Sequence, residues 1–371
     1  MRILQVCPYD WHAPGGVQTH VRELTSELRR RGHEVSVAAP GRRDSDEPDV
    51  HIVGRPIRVP FNGTVAPVCP SLMAAWRVRA LLRKFRPDLV HAHEPFAPSV
   101  SLFAGLITPT PLVATFHAHV DLKIGPAMYS LGTWPLNRRA TAGIAVSEEA
   151  LSCLSRRVRV PFSIIPNGVD RALFTLASDR RVGGRRLLFA HRLEPRKGFG
   201  VALAAFARVL DSCPDATLTV VGDGKDRARI DELTPRVRSR VRMLGVLPRE
   251  ALLAEFASAS VFLAPAINGE SFGVVLLEAM AAGLPIVASA VDGYRRLLAG
   301  GGASLVTPGD PEALARGLIE MLCEPQLAAR TSETGRNRAA AFTWERVASA
   351  VEGVYAVAMA PASRLRASVA T

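Results

Sequence analysis

Short runs of aliphatic and β-branched residues recur along the chain, each followed by a longer stretch whose apolar positions fall three and four apart. The first series of runs is Ile3–Val6, Glu34–Ala38, Leu89–Ala92, Leu112–Phe116, Gly143–Val146 and Phe162–Ile165. Helical periodicity fills the gaps, notably over Val17–Arg31, Ser71–Phe85 and Gly125–Ala140. Strands that are apolar throughout, alternating with helices, predict a parallel, doubly wound α/β sheet covered on both faces.

The pattern then restarts. A turn cluster at Pro166-Asn167-Gly168-Val169 and a polar stretch at Arg180–Arg186 precede a second series: Leu187–Ala190, Ala216–Val221, Val241–Leu244, Val261–Ala264, Pro285–Ala288 and Ser304–Val306. Two Rossmann-like domains are expected, residues 1–166 and 167–343. A last helix, 344–359, should pack back on the first domain, and a tail, 360–371, should be frayed. Ligands of such sheets bind beyond the carboxyl ends of the strands. Two sheets with those edges facing would define one cleft, so residues that follow strands are the first candidates for chemistry.

Composition narrows the class. At 371 residues and 48% hydrophobic, the chain is long enough for two cores and too apolar for disorder. No apolar run approaches a membrane span, and a strand follows Met1 with no leader-like block, so a cytoplasmic protein is expected. The five cysteines are scattered and never form C-x-x-C, which argues against a disulfide framework or a cysteine zinc site. The net charge of +12 calls for anionic partners without choosing among nucleotide, phospholipid surface and nucleic acid. Sparse aromatics and the lack of a reader motif argue against nucleic acid.

Several segments could carry chemistry. Pro14-Gly15-Gly16-Val17 follows the first strand and opens a helix, so its amides could meet a phosphate; an ordinary turn reads the same way. It is not the G-x-G-x-x-G of dehydrogenases. In His191-Arg192-Leu193-Glu194-Pro195-Arg196-Lys197-Gly198, Arg192 and Lys197 could clamp a diphosphate, or simply be solvated. Glu270 and Glu278 frame a loop that feeds a helix, where the amides of Phe272 and Gly273 could bind an anion. Glu278 has only apolar or small neighbours within a turn, so its carboxylate is expected to leave toward a cleft and meet ligand hydroxyls. Glu270 could equally serve as a helix-start charge.

His91, His93, Glu94, His117 and His119 follow two strands. Metal ligation is conceivable, but no H-E-x-x-H spacing occurs, so no metal is expected. An apolar-packed pair is the plain reading of His91 and His93, while His117 stands at a strand end. Asp44-Ser45-Asp46 reads as a solvated loop. In Ser71–Arg86 the residues Val78, Leu81, Leu82 and Phe85 form an apolar stripe with Arg77, Arg79, Arg83 and Lys84 beside it. That stripe could face the core, or lie on an anionic membrane with Trp76 at the interface.

Taken together, Gly15-Gly16, Ile165-Pro166-Asn167-Gly168-Val169-Asp170, Glu194-Pro195-Arg196-Lys197-Gly198 and the Glu270/Glu278 pair resemble glycosyltransferase family 4, in order and over most of the chain. Cys7-Pro8-Tyr9, Pro60-Phe61-Asn62-Gly63, His93-Glu94-Pro95 and Asn268-Gly269-Glu270-Ser271-Phe272-Gly273 resemble in particular the actinobacterial phosphatidylinositol mannosyltransferases. The resemblance implies the two-domain GT-B fold and retention of anomeric configuration, with no metal and no cofactor beyond a nucleotide-sugar donor such as GDP-mannose. By the same resemblance Gly16, Arg192 and Lys197 lie by the donor diphosphate. Glu278 meets the ribose, Glu270 the transferred sugar, and His117 the reacting centre. Tyr9, Gln18 and Asn62 face a lipid or polyol acceptor such as phosphatidylinositol, and the basic helix docks peripherally on the inner face of the plasma membrane. Two segments depart from the pattern. Ala118-His119-Val120-Asp121 replaces a hydroxyl-rich stretch ending in lysine, which leaves the acceptor open. Leu247-Pro248-Arg249 lacks the acidic residue expected near guanine, with Glu250 as a substitute, so a UDP-sugar remains an alternative. A metal-dependent hydrolase and a non-catalytic sugar-nucleotide binding protein are readings of other classes.

Overall fold

The computed structural model describes residues 1–61, 64–117, 137–152, 158–175, 184–268 and 270–360, with no account of the side chains of residues 60–65. The chain divides into two compact units, Met1–Gly168 with Trp344–Thr371, and Val169–Thr343.

The first unit is built on a seven-stranded sheet. In spatial order its strands are Val50–Gly54, Glu34–Pro40, Arg2–Val6, Leu89–His93, Leu112–Phe116, Ala140–Ala145 and Phe162–Ile164. All neighbouring pairs are parallel. Six of the strands follow the apolar runs. The edge strand Val50–Gly54 and the antiparallel hairpin Ile57–Phe61/Thr64–Val68 were not expected. Val50–Gly54 is mostly half-buried and follows a charged loop, so it lacks the apolar continuity of its neighbours. Helix Gly16–Arg30 buries Val21, Leu24 and Leu28. Most of the helix expected over Gly125–Ala140 lies outside the described residues, and Ala140 itself begins a strand.

The helix Trp344–Met359 belongs to this unit, although the second sheet separates it in sequence. Its Val351, Val354, Tyr355 and Ala358 pack with Ile3, Leu24, Leu28, Val113 and Ile144. At the rim, Glu352 accepts from Arg31 and His33 at 2.5 and 2.7 Å.

The second unit carries a six-stranded parallel sheet ordered Val241–Gly245, Thr217–Val221, Arg186–Ala190, Val261–Ala264, Ile286–Ser289 and Ser304–Val306. These follow the second series of runs to within a few residues. Leu187, Phe189, Val220 and Leu263 pack with helices Phe199–Ser212 and Pro311–Cys323 on one face. Leu188, Phe262, Ile286 and Ala288 pack with helix Val274–Ala281 on the other. Each unit is thus a three-layer α/β sandwich with loops gathered past the strand carboxyl ends.

Candidate functional site

Two polar clusters stand at strand carboxyl ends, one in each unit. In the first unit, strand alternation puts His91 and His93 on one face, with rings stacked at 4.3 Å between centroids. They are not packed apolarly, as their sequence context suggested. The Gln5 amide donates to the Tyr355 hydroxyl at 3.1 Å, and the Gln5 carbonyl oxygen accepts from His93 Nε2 at 2.7 Å. With its proton on Nε2, His93 offers Nδ1 as an acceptor, and His117 Nε2 donates to it at 3.0 Å. The Tyr355 hydroxyl is hydrogen-bonded to His91 Nδ1 at 2.7 Å, and His91 Nε2 to Thr115 Oγ1 at 2.6 Å. The Gln5 carbonyl oxygen thus sets the proton of His93 on Nε2 and that of His117 on the nitrogen facing it.

His20, on helix Gly16–Arg30, closes the cluster. Its Nδ1 donates to Asn167 Oδ1 at 2.9 Å, and its ring stands edge-on to His117 at 4.6 Å. Burial pushes the imidazole pKa of His20 down to about 4 and that of His91 to about 3. His93 and His117 also fall well below the ordinary value. Burial is the first cause, reinforced by the neighbouring rings. All four rings are neutral at pH 7. Donor atoms of His20, His93 and His117 lie within 4.8 Å of one another, so this trio is the arrangement that could hold a divalent metal ion. It differs from the set suggested by sequence. His20 was missed, His91 turns to Tyr355 and Thr115, Glu94 accepts from the His117 amide at 2.5 Å, and His119 lies outside the described residues.

In the second unit, loop His191–Gly198 follows strand Arg186–Ala190. Gly198 takes φ +72°, and a side chain there would run into the carbonyl oxygen of Pro265. This tight passage delivers an alternating row of charges. Arg192 pairs with Glu194 at 3.1 Å, Glu194 with Arg196 at 3.2 Å, Arg196 with Glu270 at 3.1 Å, and Glu270 with Lys197 at 2.5 Å. Three cations against two carboxylates leave one net positive charge. Burial lowers the Lys197 pKa, and Glu270 opposes that shift. Arg192 is the open end of the row, its side chain 53% exposed against 13% for Lys197. Arg196, which touches both carboxylates, was not singled out in the sequence.

His191 lies buried beside this row, and its Nε2 has no partner among the described residues. Its pKa is well below the ordinary value, by burial first and then by Lys197 and Arg196. A recess of about 530 Å³ opens next to the loop, lined by Gly224, Lys225, Arg227, Arg238 and Met243. Backbone hydrogen bonds from Leu193 to Asp223 and from Asp226 to Leu193 join the two loops.

Glu270 does not cap a helix. Helix Val274–Ala281 starts four residues later, with Gly273 at its N-cap in the left-handed region, φ +95°. A side chain at Gly273 would press on the Tyr294 ring at 2.8 Å, so the chain can turn here only with glycine. The Leu276 and Leu277 amides donate to the Gly273 carbonyl, and the amides ahead of them stand at the electropositive start of the helix. Phe272 is buried against Phe342, which leaves its amide rather than its ring to act. Glu278, which has no polar neighbour within a turn of its own helix, finds its partner elsewhere in the unit. Arg249 donates to its Oε1 at 2.6 Å and to Asp170 Oδ2 at 3.2 Å. Burial raises the Glu278 pKa, and Arg249 opposes that shift.

The remaining candidates fall as follows. Gly16 is exposed at the start of its helix. Gln18 is buried and donates to the Asp10 carbonyl at 3.1 Å. Tyr9 is half-buried and bridges to Val68, and Asn62 lies outside the described residues. Asp44, Asp46 and Glu250 are exposed. In helix Leu72–Phe85 the stripe Val78, Leu81 and Leu82 is buried in the unit's own core, so it cannot be the face offered to a membrane. The exposed apolar residues are Leu72, Met73 and Trp76, one to two turns ahead of exposed Arg77, Arg79, Arg83 and Lys84. Among the described residues no helix is long and apolar enough to cross a membrane.

Comparison with known proteins agrees along the whole length. The family description Glycosyltransferase Family 4 matches residues 14–173, and Glycosyl transferases group 1 matches residues 177–338. The chain is 37% identical over 366 residues to the phosphatidyl-myo-inositol mannosyltransferase of Mycobacterium tuberculosis H37Rv, covering 96% of each. It is 30% identical over 402 residues to the glycogen synthase of the same species, covering 96% of this chain and 95% of the relative. Among solved structures, Anabaena Alr3699/HepE in complex with UDP and glucose superposes with a TM-score of 0.75 at 20% identity, covering 96% of this chain and 99% of that one. Sucrose-phosphate synthase from Thermosynechococcus elongatus gives 0.75 at 23%, covering 95% and 98%.

Proposed function

This chain belongs to glycosyltransferase family 4, retaining enzymes of the GT-B fold, and on that premise we propose that it transfers mannose from GDP-mannose to phosphatidylinositol or a related polyol lipid at the cytoplasmic membrane face. The observation that carries the donor half is the charge row Arg192–Glu194–Arg196–Glu270–Lys197 beside the helix that starts at Val274. Its surplus positive charge and the first-turn amides suit a sugar diphosphate. A leaving diphosphate gains negative charge as the sugar–oxygen bond breaks, and fixed cations and amides stabilise that growing charge. Glu270, held by Lys197 and Arg196, is positioned to accept hydrogen bonds from sugar hydroxyls, and Glu278, held by Arg249, from the ribose.

In this scheme the acceptor hydroxyl bonds to the anomeric carbon on the face the diphosphate leaves. The departing phosphate oxygen takes the hydroxyl proton, so no protein nucleophile is required. His117, neutral and fixed in tautomer, suits a hydrogen bond to the reacting sugar. The 37% identity to a phosphatidyl-myo-inositol mannosyltransferase supports mannose and the inositol lipid. Membrane contact is read from Leu72, Met73 and Trp76, followed by Arg77, Arg79, Arg83 and Lys84. One observation favours a second reading. The Leu247-Pro248-Arg249 segment lacks the acidic residue expected near guanine, and Arg249 is engaged by Glu278 and Asp170; this fits a UDP-sugar donor and another acceptor.

Calorimetric titration with GDP, UDP and ADP tests the donor, with Glu278→Gln as control. Preference for GDP, weakened in the variant, followed by transfer from GDP-mannose to phosphatidylinositol vesicles, is the expected result. Preference for UDP selects the second reading, and binding of none of the three overturns the donor site.

A further inference from the structure

We propose that Cys213 and Cys323 form a reversible disulfide that staples two helices of the unit Val169–Thr343. Cys213 follows helix Phe199–Ser212, and Cys323 is the last residue of helix Pro311–Cys323. These helices pack side by side, which brings together two thiols 110 residues apart in sequence. Their sulfurs are 3.8 Å apart. A disulfide bond is about 2.05 Å long, so the sulfurs must close by about 1.8 Å. Rotation of the Cys323 side chain can supply that movement, because it is exposed at a helix end. Cys213 is buried with Leu210, Ala216, Leu318 and Met321 and forms the fixed half of the pair.

Exposure sets the order of reaction with a peroxide. The Cys323 thiolate attacks the O–O bond; a sulfur–oxygen bond forms, and hydroxide leaves and takes a proton to become water. Cys213 then attacks the sulfenic sulfur. The S–S bond forms, the S–O bond breaks, and a second water leaves with the Cys213 proton. The two sulfurs together give two electrons to the peroxide. A small dithiol or glutathione reverses the step by exchange. Two features favour this order. Burial raises the Cys213 pKa, with the Cys323 neighbour adding to it, so Cys213 is not the first thiolate. Cys323, exposed at its helix end, is the sulfur a peroxide can reach, and Arg185, paired with Asp215 at 2.7 Å, only partly opposes the rise at Cys213.

The test uses the full chain. After exposure to hydrogen peroxide, free thiols are alkylated and the peptides mapped by mass spectrometry. A linked Cys213–Cys323 peptide is expected, restored to two thiols by dithiothreitol. Closing a loop of this length in the unfolded chain should raise the melting temperature of this unit by about 10 °C, a rise that Cys213→Ser and Cys323→Ser each abolish. Buried Cys7 and Cys69 serve as internal references and stay alkylatable only on unfolding. Recovery of both thiols unlinked, or of Cys323 as a sulfinic acid or mixed disulfide, overturns the proposal. A linked peptide with an unchanged melting temperature overturns the staple.

Discussion

Lowering the pH from 7.5 to 5.5 should destabilise the unit that holds the histidine network far more than its burial of carboxylates would suggest. An imidazole in the unfolded chain titrates near 6.5. His20, His91, His93 and His117 all titrate lower when folded. The unfolded state therefore binds more protons, and stability present above pH ~7 is lost as pH falls through 6.5 toward the depressed folded values. A ring that stays neutral in the fold at pH 5.5 loses about 1.4 kcal/mol relative to pH 7.5, since roughly ten of eleven unfolded rings are then protonated. Four such rings set an upper bound of about 5 kcal/mol, comparable to the whole stability of a typical domain. The other unit has a single histidine, His191, to act in this sense, and Glu278, whose pKa is raised, acts in the opposite one. The sequence of Val169–Thr343 holds no tryptophan, while Trp11, Trp76 and Trp344 belong to the first unit, so tryptophan fluorescence does not report the second. Urea unfolding followed by fluorescence at the two pH values should show the midpoint falling steeply. A midpoint that is unchanged or higher at pH 5.5 would refute the neutral, buried network.

Two further outcomes follow from other contacts. Arg249→Met should destabilise by about 2–3 kcal/mol by urea unfolding, because it strands the buried Glu278 carboxylate; adding Glu278→Gln should recover at least half, and unaltered stability of the single variant would contradict the pairing. Trp76→Ser, or Arg83→Glu with Lys84→Glu, should weaken sedimentation with phosphatidylinositol-bearing vesicles about fivefold or more per lost contact; undiminished binding would remove this helix as the membrane element.

What the sequence made legible depends on the range over which each cause acts. Strand runs such as Leu112–Phe116 and Val261–Ala264 were read to the residue, because apolar continuity is a local consequence of being covered on both faces. Position past a strand end was equally local, which is why His117, Arg192 and Glu270 could be named at all. Pairing was not. The partner of Glu278 comes from Arg249, 29 residues earlier, and Arg249 is shared with Asp170, 79 residues before it. Within the helix every neighbour of Glu278 is apolar or small, so local reasoning sent the carboxylate toward a cleft, and the half-buried cation that meets it there could not be read locally. The basic helix was legible in part, since its stripe faces the core as one of its two readings had it. Its strongest stripe, Val78, Leu81 and Leu82, is strong because it serves the core, and the residues free to meet a lipid surface are the less periodic Leu72, Met73 and Trp76. The same distinction bears on mechanism. Arg192, Arg196 and Lys197 are already paired with Glu194 and Glu270, so a diphosphate must compete with carboxylates for them rather than fill a vacant cationic site. A row with one surplus charge can yield cations to a stronger anion without ever leaving a buried charge alone. Glu270 would then share Lys197 and Arg196 with the phosphates as they arrive, which couples the sugar contact to correct seating of the diphosphate.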